Sequence, residues 1–73
     1  MKIDKNFNKQ QVELLKNKNI DIYQNFDKKL LEELEDRIYN IMMDYLDEKQ
    51  DFTPKAEAFE SILDIIVKIE NTL

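Results

Sequence analysis

Hydrophobic residues in the middle of the chain recur every three or four positions, which is the spacing of one buried face of an α-helix. In the segment 28–49 these positions are Leu31, Leu34, Ile38, Ile41 and Tyr45. Asp27 precedes the segment and is a preferred N-cap residue. The pattern therefore predicts a helix over 28–49 with one face in the core.

A second helical pattern runs over 54–72. Its main apolar stripe is Phe59, Ile62, Ile66, Ile69 and Leu73, with Leu63, Ile65 and Val67 on the flanks. Thr53 is a good N-cap, and Pro54 fits the first helical position, where its missing N–H costs nothing. The apolar arc covers more than half of the helix. Because the core of a three-helix domain needs a narrower apolar arc on each helix, we expect part of this arc to form an interface.

A shorter helix is predicted over 9–18. Asn8 and Gln11 have the spacing of a capping box, in which each side chain binds the backbone N–H of the other. Asn17 and Asn19 are suited to end the helix, because asparagine tolerates the left-handed conformation that glycine usually supplies.

The segment 20–23 alternates apolar and polar residues too briefly for a sheet, so it is read as an extended connector. A small two-stranded ribbon with residues 1–4 remains an alternative, although such ribbons are marginal alone. Residues 1–73 are therefore expected to form a single all-α domain. The two long helices make an antiparallel helical hairpin, and the short N-terminal helix covers it.

The composition removes most familiar enzyme classes. The 73 residues include no Cys, His or Gly. Disulfides, sulfur-based zinc sites, histidine bases and glycine-rich phosphate loops are therefore excluded. We expect a chain that is not an enzyme and binds no metal or cofactor. It has no apolar run long enough for a signal or a membrane span, which favours a cytoplasmic location.

Charge is distributed unevenly along the chain. The net charge is −5, but residues 1–29 carry seven Lys against four acids, whereas residues 30–73 carry twelve acids against four bases. An acidic body is a poor binder of nucleic acid, because phosphate contacts need clustered Lys and Arg. A protein partner with a basic surface is the better match.

Acidic residues line the side of the predicted middle helix that faces away from its apolar stripe. The acidic residues are Glu33, Asp36, Asp44 and Asp47. Asn40 lies between Asp36 and Asp44, so that the five positions follow one another at steps of three or four. One interpretation is a partner-binding surface that imitates the phosphates of nucleic acid. The alternative is an ordinary solvated helix face.

Self-association is predicted through a second set of residues. Tyr39 and Met43 lie at the margin of the apolar stripe, and Ile65 and Val67 flank the stripe of the last helix. Because domains of this size gain stability from oligomerisation, we expect a homodimer.

An alternative function is that the chain is a structural subunit that dimerises or braces a larger assembly. That role would use the isoleucines of the last helix, namely Ile62, Ile65, Ile66 and Ile69.

Two pairs of glutamates resemble the metal-binding pattern of the all-α nucleotide pyrophosphohydrolases. They are Glu32 with Glu35 and Glu57 with Glu60. The resemblance implies a Mg²⁺ site of oxygen ligands and a third hypothesis, nucleotide hydrolysis. However, Glu32 and Glu57 point away from the apolar stripes, so the four carboxylates are not expected to converge.

The runs Leu30–Asp36, Thr53-Pro54 and Glu60–Asp64 resemble small acidic helical proteins of phages and mobile elements in low-GC Gram-positive bacteria. The resemblance covers roughly residues 27–70 and implies no catalytic role. Some small phage proteins of this style inhibit host defence, including anti-CRISPR proteins. We therefore expect a non-enzymatic binding module that docks on a protein, with inhibition by nucleic-acid mimicry as its mechanism.

Overall fold

The computed structural model describes residues 1–46 and 53–73. Within these ranges the elements are a 3-10 turn, Asp4–Asn6, and three helices, α1 (Lys9–Asn17), α2 (Lys28–Asp44) and α3 (Pro54–Asn71). No β-strand occurs among these described residues. The predicted all-α fold is confirmed, and the bounds of α1 and α3 differ from the predicted ones by a single residue at the C-terminal end.

The start of α1 is fixed by the predicted capping box, which also docks the helix. The Asn8 side chain accepts from the Gln11 backbone N–H, and the Gln11 side chain accepts from the Asn8 backbone N–H, both at 2.8 Å. The Gln11 Nε2 atom then donates to Ser61 Oγ on α3 at 3.2 Å. One buried glutamine therefore caps α1 and joins it to α3.

The end of α1 is a Schellman motif with asparagine in the usual glycine position. Asn19 has φ 59, in the left-handed region. The Ile20 N–H bonds to the Leu15 carbonyl and the Asn19 N–H to the Lys16 carbonyl, both at 3.0 Å. These are the two hydrogen bonds that define the motif. The prediction that Asn19 ends the helix is confirmed.

Helices α2 and α3 form the predicted antiparallel hairpin. At its connected end, the Thr53 hydroxyl donates to the Tyr45 carbonyl at 2.6 Å and accepts from the Ala56 N–H at 3.2 Å. The Tyr45 and Phe59 rings are stacked, with centroids 5.6 Å apart and an interplanar angle of 2°. The cap of α3 therefore also ties the last turn of α2 to the first turns of α3.

Helix α2 ends earlier than predicted. The sequence pattern extended it to residue 49, but the last helical residue is Asp44, and residues 47–49 lie outside the described ranges. Tyr45 is the C-cap, with φ −100 and ψ 7, and its carbonyl accepts a hydrogen bond from the Thr53 hydroxyl. This contact comes from another helix, so the local periodicity of α2 did not reveal it.

The core includes residues outside the helices. Ile3 and Ile22 are fully or almost fully buried, and Phe26 is buried beside them. Met1 and Phe26 exchange backbone hydrogen bonds of 2.6 and 2.7 Å, which hold the N-terminal segment against the connector. The described residues therefore show one backbone pair, between Met1 and Phe26. Residues 1–4 and 20–23 do not form the two-stranded ribbon that the sequence left as an alternative to an extended connector.

Candidate docking surface

The acidic line, defined as Glu33, Asp36 and Asp44, lies along the outer face of α2. All three residues are exposed, as is Asn40 between them. The buried residues of α2 are Leu31, Leu34, Ile38 and Met42, on the opposite face. From Glu33 to Asp44 the line extends about 16 Å at 1.5 Å per residue. Asp47, the fourth predicted member, lies outside the described residues.

Helix α1 and the N-terminal segment cover one side of the hairpin. On α2, the Arg37 guanidinium donates to the Lys18 carbonyl at the end of α1 at 2.9 Å. On α3, Ser61 accepts from Gln11 of α1. Ile65 lies on the same side of α3 and lines a shallow depression with Asn6 of the 3-10 turn. We call this side of the hairpin the covered side.

The opposite side of the hairpin, which we call the open flank, is defined by Tyr39, Met43, Leu63 and Val67. A helix turns about 200° in two residues, so Tyr39 points away from Arg37 and Leu63 away from Ser61. The side chains of Tyr39 and Met43 are 49% and 40% exposed. Leu63 and Val67 are half-buried. The open flank is therefore an apolar strip on the surface of the hairpin.

The structure separates the four residues predicted for self-association. Tyr39, Met43 and Val67 lie on the open flank, whereas Ile65 is half-buried on the covered side and packs against the core. Much of the wide apolar arc of α3 is also used inside the chain, since Ile62 and Ile66 are 0% exposed. Of the isoleucines required for a structural subunit, these two are therefore not available to a partner.

Glu70 of α3 lies at one end of the open flank with an unsatisfied carboxylate oxygen. Its Oε1 atom is buried and has no hydrogen-bond partner within residues 1–46 and 53–73. Burial raises the pKa of Glu70, and the negative charges of Glu35 and Glu32 raise it further. Lys28 opposes this shift, and Asp36 adds to it. The ionised form of Glu70 is therefore penalised in the folded chain.

No sequence pattern singled out Glu70, although one signal was present. It follows the buried Ile66 by four residues, so it had to lie near the apolar stripe of α3. The proximity of Glu32 and Glu35 depends on how α2 and α3 pair, which a single-helix pattern does not contain.

Two lysines surround Tyr45 at the connected end of the hairpin. The Lys18 ammonium donates to the Tyr45 hydroxyl at 2.6 Å and lies 4.9 Å from the ring centroid. The Lys55 ammonium lies 5.3 Å from the same centroid. The hydrogen bond from Lys18 lowers the pKa of Tyr45, because it favours the phenolate. This cluster ties the end of α1 to the end of α2.

The two glutamate pairs that resemble a magnesium site lie toward opposite ends of the hairpin. Glu57 and Glu60 are in the first turns of α3, beside the C-terminal end of α2, whereas Glu32 and Glu35 lie near the C-terminal end of α3. Within residues 1–46 and 53–73, no three acidic side chains are grouped closely enough to hold a metal ion.

A separate open groove lies between α1 and the connector that follows it. Its apolar lining comes from Phe7, Val12, Ile20 and Ile22, with the exposed Tyr23 at its edge. Two lysines and two acids border it, namely Lys9, Lys16, Glu13 and Asp21. The charges balance, so the groove has no preference for a partner of either sign.

Comparison with protein-family models, curated proteins and solved structures finds no match to this chain. None of the helices in the described part of the chain combines the length and the hydropathy that a membrane crossing requires. The functional interpretation therefore depends on the surfaces described above.

Proposed function

We propose that this chain is a non-enzymatic binding module that docks on a protein with a basic surface. The observation that supports it best is the acidic line, where three exposed carboxylates follow one face of α2. The helix that carries them is held by its N-cap Asp27, by the hydrogen bond from its Arg37 to the end of α1 and by the Thr53 contact at its C-terminal end. The carboxylates are thus presented on a fixed backbone.

Charge complementarity of this kind mainly accelerates encounter and selects partners by sign. A row of carboxylates on one helix face offers a basic groove the same sign of charge as a nucleic-acid strand. We infer that the chain acts as an inhibitor in a phage or mobile-element setting by occupying such a groove. This mechanism predicts strong salt dependence, because exposed charges are screened over about 8–10 Å at physiological ionic strength.

The test is a pull-down from lysate of the host with wild type and two triple variants. One variant reverses the acidic line through Glu33→Lys, Asp36→Lys and Asp44→Lys. The matched control carries the same change of charge at exposed acids elsewhere, through Glu13→Lys, Glu57→Lys and Asp64→Lys. Circular dichroism confirms that both variants are folded.

We expect the acidic-line variant to lose the partner, and the control to retain it in low salt and release it as salt rises. Equal capture by both variants would show that the acidic line is only a solvated face. Equal loss in both would show a response to net charge alone. Either outcome contradicts the proposed function.

A further inference from the structure

The open flank has a defined register across the two helices of the hairpin. The stacked rings of Tyr45 and Phe59 set this register at one end of the hairpin, and the charges of Glu35 and Glu32 act on Glu70 at the other. Because the helices are antiparallel, Tyr39 and Met43 of α2 run alongside Val67 and Leu63 of α3. Two apolar pairs thus follow one another along the flank, and Glu70 lies at the end of the row.

The charges at that end of the flank are almost all negative. Among the described residues, the groups that act on Glu70 are the acids Glu32, Glu35 and Asp36 and the cation Lys28. The same part of the chain offers no donor to the buried Oε1 atom of Glu70. Buried carboxylate oxygens normally have a hydrogen-bond partner, so this one is an acceptor without a donor.

A second copy of the chain is a poor occupant of this surface. A two-fold contact places the same patch on both partners. Each copy would bring the same excess of acids to the contact and only Lys28 to offset them, and burying like charges together is costly. The homodimer predicted from the sequence is thus opposed by the charges that border its apolar residues.

We propose that the open flank binds a cationic amphipathic helix of a partner protein. Such a helix has an apolar stripe at i, i+3, i+4 and i+7 that packs along the two apolar pairs. A Lys or Arg beside the stripe pairs with the charge of the Glu70 carboxylate, which the acids around it disfavour. Aromatic residues and Met are enriched at interfaces, in agreement with the exposure of Tyr39 and Met43. This inference rests on the proposed docking function and names the partner element.

The experiment uses a synthetic helical peptide of leucine and lysine with that stripe. A peptide with glutamate in place of lysine and a scrambled lysine peptide serve as controls. Binding to the full chain, labelled with ¹⁵N, is followed by amide shift perturbation. Each variant on the open flank has a control at an exposed residue of the same type elsewhere, with Tyr23→Ser as the control for Tyr39→Ser and Glu13→Gln as the control for Glu70→Gln.

We expect saturable binding of the lysine peptide, with shifts at Tyr39, Met43, Leu63 and Val67. Tyr39→Ser and Glu70→Gln should each weaken it about tenfold, as loss of a central contact does, whereas the two control variants bind like wild type. Equal binding of the scrambled peptide, or shifts centred on the acidic line, overturns the assignment. So does a wild-type dimer that Tyr39→Ser dissociates.

The two tests can fail separately. Reversal of the acidic line leaves Tyr39 and Glu70 in place, so the lysate experiment can fail while the peptide still binds. Equally, loss of peptide binding leaves a partner captured through the acidic line unaffected.

Discussion

The most direct test of how the sequence encodes this fold concerns two asparagines at the end of α1. Asn17 is the last helical residue, and Asn19 has φ 59. Both are exposed, so substitution changes little packing. Their backbones make opposite demands, because a helical position favours Ala over Gly whereas a left-handed position favours Gly over Ala. We therefore expect Ala and Gly to exchange rank between the two positions.

The size of the effect follows from the backbone. A left-handed conformation costs a residue with a Cβ atom about 1–2 kcal/mol. Gly at the same position loses about 0.4–1 kcal/mol through the greater freedom of the unfolded chain. At position 19, Gly should therefore be more stable than Ala by about 1 kcal/mol. At position 17, Gly should be less stable than Ala by up to about 1 kcal/mol.

Four single variants measure this exchange, namely Asn17→Ala, Asn17→Gly, Asn19→Ala and Asn19→Gly. Thermal and urea unfolding are followed by far-UV circular dichroism. A difference of 1 kcal/mol corresponds to a shift in Tm of about 4–8 °C for a domain of this size. If Ala and Gly have the same order of stability at both positions, Asn19 does not terminate α1 in the way described.

Three further predictions concern the core and the two perturbed side chains. Ile62→Ala should cost about 2–5 kcal/mol and Ile62→Val about 0.5–1.5 kcal/mol in urea unfolding, since the side chain is 0% exposed. The raised pKa of Glu70 means that the folded chain gains stability as pH falls from neutral toward the ordinary value of 4.5. Glu70→Gln should therefore stabilise the chain at neutral pH and abolish its gain in stability at lower pH. The exposed control Glu33→Gln should do neither, and urea unfolding between neutral pH and pH 4.5 measures both effects. Lys18→Met should raise the pKa of Tyr45 toward its ordinary value of 10.0, as measured by ultraviolet titration against Tyr45→Phe.

The starts of the helices could be predicted because their causes are local. Asn8, Asp27 and Thr53 each accept a hydrogen bond from a backbone N–H three residues later. Such a pattern is complete within four residues of sequence. The end of α2 is different, because the Thr53 hydroxyl takes the Tyr45 carbonyl from eight residues away. A periodic pattern therefore overestimated its length.

The non-helical part of the core could not be predicted for a related reason. Ile3 belongs to no periodic segment, and the one local signal for Phe26 is its place before the N-cap Asp27, where an apolar residue can pack on Leu31. Their burial depends on the pairing of Met1 with Phe26, 25 residues apart. For the surface, exposure of the acidic line could be predicted, since it is opposite the stripe of α2. The open flank could not, because it depends on which side of the hairpin α1 covers.

The two sides of the hairpin differ in how their polar groups are satisfied. On the covered side, Gln11 and Ser61 bind each other, and Arg37 binds a carbonyl of α1. On the open flank, Glu70 is partly buried among acids and its Oε1 atom has no donor in the described part of the chain. A cation placed beside the Glu70 carboxylate by a partner would reduce the repulsion from Glu35. Binding would then favour the ionised form of Glu70, so a cationic helix on the open flank should also stabilise the fold.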